Sequence, residues 1–155
     1  MVKLSYLNKR RKFNQICRDI KSIKIQGASN VAKSALYAYS LFPKASSKKK
    51  LLSLRPTEPM LARVLSEMDS SSYKEVLAHF DSAQTRINKA SLRLIKKGSV
   101  IFTHCHSTNV TGALIYARKN GKKFEVYNTE TRPLFQGRKT ARELKKNKIK
   151  VTMFV

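Results

Sequence analysis

A cysteine flanked by two histidines is the most reactive pattern in this chain of 155 residues. The segment Thr103-His104-Cys105-His106-Ser107 follows a short β-rich run and precedes a helical pattern. A thiol there can be a metal ligand, a core residue or a group that gives and takes protons. Neighbouring residues of an extended segment point to opposite sides, and no C-x-x-C or H-x-x-H pair occurs elsewhere. The sequence therefore predicts no metal, and the position of Cys105 at the end of the run favours a reactive thiol.

Residues 98–155 carry the pattern that would position this thiol. Apolar β-rich runs at 99–103, 124–128 and 149–155 alternate with helical patterns at 112–120 and 137–147. This β-α-β-α-β order predicts an α/β domain with parallel strands and right-handed crossovers. Ligands of such sheets bind beyond the carboxyl ends of the strands, where the polar segments 104–109 and 129–137 lie. Cys105 would also precede a helix N-terminus, whose partial positive charge stabilises a thiolate.

Residues 1–97 are predicted to form a separate helical domain. Phe13, Ile16, Cys17 and Ile20 recur at helical spacing, which predicts that Cys17 is a core residue. A longer helix is expected from about Ser71 to Gly98, with apolar residues as far as Leu94 and Ile95 spaced for burial.

The remaining predictions in this domain concern helix ends. Ser29-Asn30 is expected to cap a second helix, and Thr57 is expected to cap another with Pro59 in its first turn. The stretch 44–50, KASSKKK, is predicted to be an exposed loop.

The net charge of +24 is the unusual bulk property of the chain. Such a surface attracts polyanions, so non-specific RNA binding is one hypothesis. Zinc-finger spacing, an RNP-like aromatic pattern and a Gly/Arg tract are all missing, and lysine runs are usually solvated surface, so this is the weaker hypothesis. No stretch resembles a signal peptide or a membrane helix of about 20 residues, which together with two widely separated cysteines predicts a cytoplasmic protein.

Four motifs together resemble a known family. They are Ile25-Gln26-Gly27-Ala28, Arg55-Pro56-Thr57, Thr103-His104-Cys105-His106-Ser107 and Glu130-Thr131-Arg132-Pro133-Leu134-Phe135-Gln136-Gly137. Their order and spacing resemble the initiation factor 2B alpha/beta/delta subunit family, most closely its archaeal-type ribose-1,5-bisphosphate isomerases and more distantly its methylthioribose-1-phosphate isomerases. The resemblance covers nearly the whole chain and implies a helical N-terminal domain, a partial Rossmann-like domain and a site between them.

The resemblance also implies roles for individual residues. In the isomerases the cysteine of this motif and a downstream aspartate handle the protons of an aldose to ketose conversion, without a cofactor, which assigns that role to Cys105. Arg55, the backbone of Gly27 and Ala28, and Gln136 match groups that bind the substrate phosphates.

Arg132, in the same loop as Gln136, is expected either to hold the shape of that loop or to touch the ligand. Glu130 is expected to support the loop in the same way.

The sequence departs from the family at several points. Gln26 stands where the isomerases usually have arginine, which weakens one phosphate contact, and His106 replaces an asparagine beside the cysteine. The family continues past the last strand into a segment that carries the catalytic aspartate. We therefore expect the 155-residue chain alone to be inactive. Its apolar edge strand at 151–155 is expected to pair with another copy or with a complementary C-terminal fragment.

Two classes of function follow from the resemblance. One is a sugar-phosphate isomerase, which retention of Cys105 favours. The other is a non-catalytic regulatory subunit that binds a phosphosugar or a nucleoside monophosphate, and the missing aspartate favours it.

Overall fold

A computed structural model describes residues 5–155, and in that range the chain is a mixed α/β protein. Its elements are α1 (Tyr6–Lys21), α2 (Ala28–Leu41), α3 (Ala45–Leu54), α4 (Pro59–Glu67), α5 (Tyr73–Leu94), β1 (Ser99–Thr103), α6 (Thr108–Lys119), β2 (Phe124–Thr129), α7 (Gln136–Lys146) and β3 (Lys150–Phe154). The predicted order of helices followed by β-α-β-α-β is confirmed. The chain divides within α5 into two compact units, of which the first ends at His79 and the second begins at Phe80. The boundary between residues 97 and 98 stays a prediction.

The first unit is a helical bundle organised around α1 and α2. The α1 face made of Phe13, Ile16, Cys17 and Ile20 is buried, as the spacing predicted. It packs against α2, which also packs against α4 and whose buried residues are mostly alanines. Burying these four residues gives α1 a fixed orientation, with its charged residues turned to the surface.

The two predicted helix caps are wrong. Gly27 caps α2 with a φ of 83°, a left-handed conformation that costs glycine little, so the helix starts before Ser29-Asn30. The Asn30 side chain instead donates a hydrogen bond back to the Gln26 carbonyl at 3.0 Å. At α4 the capping residue is Glu58 rather than Thr57, although the proline that follows is in the first turn as predicted.

The prediction that residues 44–50 form an exposed loop is also wrong, because most of this segment belongs to α3. Tertiary contacts stabilise this helix. Leu51 is fully buried, Lys48 pairs with Asp69 at 2.5 Å, and the ammonium of Lys50 lies 5.4 Å from the centre of the Phe13 ring. A polar and lysine-rich composition is common to loops and exposed helices, so it could not distinguish them.

The second unit is built on a parallel sheet with the strand order β1-β2-β3. Ile101, Val126 and Val151 align across the three strands. Together with Leu114 of α6 and Leu144 of α7 they form one hydrophobic cluster. Parallel pairing and the two crossover helices are therefore as predicted.

The opposite face of this sheet exposes apolar side chains on both outer strands, next to an ion pair between Lys150 and Glu125. Val100 and Phe102 of β1 and Phe154 of β3 are 56%, 65% and 49% exposed. Leu94, predicted to be buried, is 79% exposed. Exposed apolar side chains of this kind are often covered by another polypeptide. The predicted self-association, or pairing with a second fragment, stays a prediction. No helix in the range 5–155 is long and apolar enough to cross a membrane.

Candidate functional site

Two threonine hydroxyls hold the backbone of Cys105 at the carboxyl end of β1. The residue has a φ of 64°, a left-handed conformation that is uncommon outside glycine. Its N–H donates to Thr131 Oγ1 at 3.0 Å, and its carbonyl accepts from Thr140 Oγ1 at 2.9 Å. The strained turn is thus fixed from the loop after β2 and from α7. Neither threonine was singled out from the sequence, although Thr131 lies inside one of its motifs.

The thiol of Cys105 points to Gln136, the first residue of α7. Sγ donates a hydrogen bond to Gln136 Oε1 at 3.0 Å, and Cys105 is half-buried. The structure therefore brings together two residues that the sequence placed in one site, 31 positions apart. A thiol on a fixed backbone and beside an amide can exchange a proton with a bound molecule.

The hydrogen bonds around His106 determine which ring nitrogen carries its proton. Thr140 Oγ1 has one hydroxyl proton, which it donates to the Cys105 carbonyl. His106 Nδ1 lies 3.0 Å from the same oxygen, so this nitrogen must be the donor. The neutral ring consequently carries its lone pair on Nε2, which makes that nitrogen a hydrogen-bond acceptor.

The surroundings of His106 also favour the neutral ring. Burial lowers the pKa of His106, the Lys139 ammonium lowers it further, and Glu143 acts weakly in the opposite direction. A neutral imidazole with its proton on Nδ1 presents a single acceptor at Nε2.

We expect ¹⁵N NMR of the ligand-free protein to show His106 protonated at Nδ1 and not at Nε2 at neutral pH. The same titration should place its pKa below that of an exposed histidine, because burial penalises the charged ring. Thr140→Val keeps the side-chain shape but removes the accepting hydroxyl, so it should abolish this tautomer preference. Observation of the Nε2–H tautomer in the unaltered protein would contradict the assignment.

His104 contacts a different threonine from the one that His106 contacts. Its Nδ1 lies 2.7 Å from Thr129 Oγ1, which in turn lies 3.1 Å from Thr131 Oγ1. The two histidines that flank Cys105 therefore bond to different threonines. Among residues 5–155, no cluster of three His, Cys, Asp or Glu side chains is placed to bind a metal ion.

Glu130 anchors the loop between β2 and α7. Its side chain is 4% exposed, accepts from Arg132 Nε at 3.1 Å and also pairs with Arg138. Hydrogen bonds from Arg138 and then Arg132 hold the pKa of this carboxyl below its ordinary value. Arg138 also lies over the Phe135 ring, 4.2 Å from its centre. Arg132 thus supports the shape of the loop, and Arg138, in the first turn of α7, is a further supporting residue that the sequence did not reveal.

The other predicted phosphate-binding residues belong to the first unit. Gln26, Gly27 and Ala28 form the start of α2, where no side chain caps the first turn. Arg55 follows α3, and its Nη1 is buried with no hydrogen-bond partner among the described residues. A buried guanidinium nitrogen that lacks an acceptor is suited to receive an anion.

Comparison with known proteins places this arrangement in a family. The model of the initiation factor 2 subunit family matches residues 24–155. The chain is 28% identical to the ribose 1,5-bisphosphate isomerase of Archaeoglobus fulgidus, over 88% of the chain and 51% of that protein. It is 30% identical to the protein of the same name from Thermococcus kodakarensis, over 84% of the chain and 51% of that protein. The chain therefore spans about half the length of these relatives.

A solved structure shows the same fold. The crystal structure of the Pyrococcus horikoshii translation initiation factor eIF-2B superposes with a TM-score of 0.76 at 24% identity. The match covers 92% of this chain and 59% of the other. At this identity the likeness concerns the fold.

Proposed function

Because the chain belongs to the initiation factor 2 subunit family, we propose that it carries the thiol-bearing part of a sugar-phosphate isomerase site, with ribose 1,5-bisphosphate as its substrate. The observation that supports this most directly is the position of the Cys105 thiol, 3.0 Å from Gln136 on a backbone fixed by two threonines. The two ribose 1,5-bisphosphate isomerases described above are similar over most of the chain.

The geometry of Cys105 suits the proton transfers of an aldose to ketose conversion. Because the C1 oxygen of ribose 1,5-bisphosphate carries a phosphate, the C1–O4 ring bond must first break, with a proton delivered to O4. Loss of the proton from C2 then leaves an enol phosphate between C1 and C2, and return of a proton to C1 with loss of the C2 hydroxyl proton gives the ketose. Cys105, protonated when it donates to Gln136, can supply a proton and take one back as the thiolate. We assign the C2 hydroxyl proton to His106, because its Nε2 is an acceptor in the neutral ring.

The phosphate groups would be held by residues of the first unit. The start of α2 offers uncapped backbone N–H groups at the positive end of a helix. Arg55 offers a guanidinium nitrogen that has no acceptor among the residues described. Gln26 supplies an amide where the isomerases have a cation, so we expect weaker phosphate binding at that position.

We expect ribose 1,5-bisphosphate to slow the alkylation of Cys105 by iodoacetamide, because the bound sugar would cover the thiol. Mass spectrometry of the labelled peptides measures the effect, and the rate should fall at least about fivefold at saturating ligand. Cys17 is an internal reference, since it is 4% exposed and burial raises the pKa of its thiol. Protection of the thiol is a more direct measurement than turnover, which depends on the whole protein.

Two further ligands distinguish the proposals. Ribose without phosphates should give no protection, because it lacks the groups that Arg55 and the α2 N-terminus bind. Protection by a nucleoside monophosphate, with none by the bisphosphate, would support the regulatory alternative. If no phosphorylated sugar or nucleotide protects Cys105, the proposed site is wrong.

A further inference from the structure

Helix α1 presents a strongly cationic surface. Its basic residues are Lys9, Arg10, Arg11, Lys12, Arg18 and Lys21, against Asp19 as its acidic residue. The buried face of α1 fixes this surface outward, and Arg11, Lys12 and Arg18 are all exposed. The amide of Gln15 donates to Asp19 at 2.8 Å and accepts from Arg18 at 2.8 Å, which orders the side chains on this face.

A groove of about 700 Å³ runs over this surface. Its walls include Arg11, Lys12, Arg18, Asn8, Gln15 and Tyr37, so it combines three cations, amides and an aromatic ring without a carboxylate. The Tyr37 ring is half-buried and packs against Tyr73 at 6.4 Å between ring centres. The ring is therefore held in place at the groove.

A second helix extends the positive surface. Lys50 of α3 reaches Asn14, a further residue of the groove wall, with 3.4 Å between Nζ and Oδ1. Lys48 on the same helix is paired with Asp69 and does not add to this charge. The cationic patch therefore combines residues of two packed helices, α1 and α3. A run of lysines on one solvated helix would not require a second helix.

We propose that this groove binds single-stranded nucleic acid, with phosphates on Arg11, Lys12 and Arg18 and a base against Tyr37. An open groove suits a polymer better than a small metabolite, which is usually enclosed. Cations follow the phosphodiester backbone, and an aromatic ring accepts any base by stacking. Asn8 and Gln15 add hydrogen-bonding groups for base edges. The groove belongs to the first unit and Cys105 to the second, and the proposal does not depend on the proposed enzymatic function.

The test compares two variants that remove equal charge. In one, Arg11, Lys12 and Arg18 are each replaced by Gln. In the other, the exposed Arg93, Lys96 and Lys97 are each replaced by Gln.

Binding of a fluorescein-labelled dodecamer of uridylate is followed by anisotropy at several salt concentrations. The groove variant should lower the slope of log affinity against log salt by about 2, because each single-strand phosphate contact contributes about 0.7. The control variant should leave the slope near that of the unaltered protein. Equal changes in both variants would show that net charge governs binding and would overturn the proposal.

A tyrosine pair tests the aromatic contribution. Tyr37→Leu should weaken binding of the oligonucleotide about fivefold or more with the salt slope unchanged, because stacking is lost while charge is kept. Tyr37→Phe keeps the ring and should bind like the unaltered protein. A loss caused by Tyr37→Phe, or equal affinity for double-stranded DNA of the same length, would overturn the assignment to single strands. Circular dichroism confirms that each variant is folded.

Discussion

Gly137→Ala should lower the free energy of unfolding of the second unit by about 3 kcal/mol or more, among the largest effects of a single methyl group. A Cβ at this position would lie 1.7 Å from the carbonyl oxygen of Thr129 and 2.8 Å from its carbonyl carbon. Both are backbone atoms of β2, so neither can rotate away as a side chain would. Gly137 also donates its N–H to the Glu130 carbonyl at 3.1 Å and accepts from buried Asn128 at 2.8 Å. The loop must therefore move as a whole, which breaks these bonds.

Gly112→Ala is the matched control for this prediction. Its Cβ would meet the side-chain amide of Gln84 at 3.0 Å, and a flexible glutamine can shift. The alanine also gains about 1 kcal/mol of helix propensity inside α6, so we expect a net change within about 1 kcal/mol. Urea denaturation followed by circular dichroism measures both variants. Equal stability of the two would mean that the start of α7 does not approach β2 as closely as described.

Periodicity predicted the elements whose burial is one-sided. In α1 the four buried residues follow helical spacing, and in the second unit the β-α-β-α-β alternation gave both the elements and their parallel pairing. It failed at α3, because the segment has one fully buried residue, Leu51, and takes its stability from partners on other helices. It also failed at Leu94, since spacing shows which side chains share a face but not whether another element covers that face.

The sequence indicated two candidate site residues that the structure brings into contact, but not the groups that support them. Cys105 and Gln136 came from motifs, and the structure places their side chains in contact. The threonines that fix the Cys105 backbone lie 26 and 35 positions away, and hydrogen bonds at such separations leave no local pattern. The left-handed φ of Cys105 is equally hidden, because a cysteine carries no preference for it. The tautomer of His106 follows from these contacts and needed the structure.

Arg55→Ala should weaken binding of ribose 1,5-bisphosphate at least about tenfold, because a charge-assisted hydrogen bond contributes about 1.5 to 3 kcal/mol. Its buried Nη1 has no partner among the described residues, so the substitution breaks no hydrogen bond of that nitrogen. We therefore expect the folded state to remain largely unchanged, while the bound phosphate loses the hydrogen bond that Arg55 would donate to it. Isothermal titration calorimetry of both proteins measures the loss directly.

Two comparisons make the role of Arg55 specific. Arg55→Lys keeps the positive charge but loses the planar fork that can donate two parallel hydrogen bonds, so it should recover only part of the affinity. Arg55→Ala should leave uridylate binding nearly unchanged, whereas replacing Arg11, Lys12 and Arg18 should weaken uridylate and spare the bisphosphate. This reciprocal pattern follows because the two ligands are proposed to use different cations, uridylate those of the α1 groove and the bisphosphate that of Arg55. Equal losses of both ligands on Arg55→Ala, or no loss of either, would remove Arg55 from the proposed phosphate site.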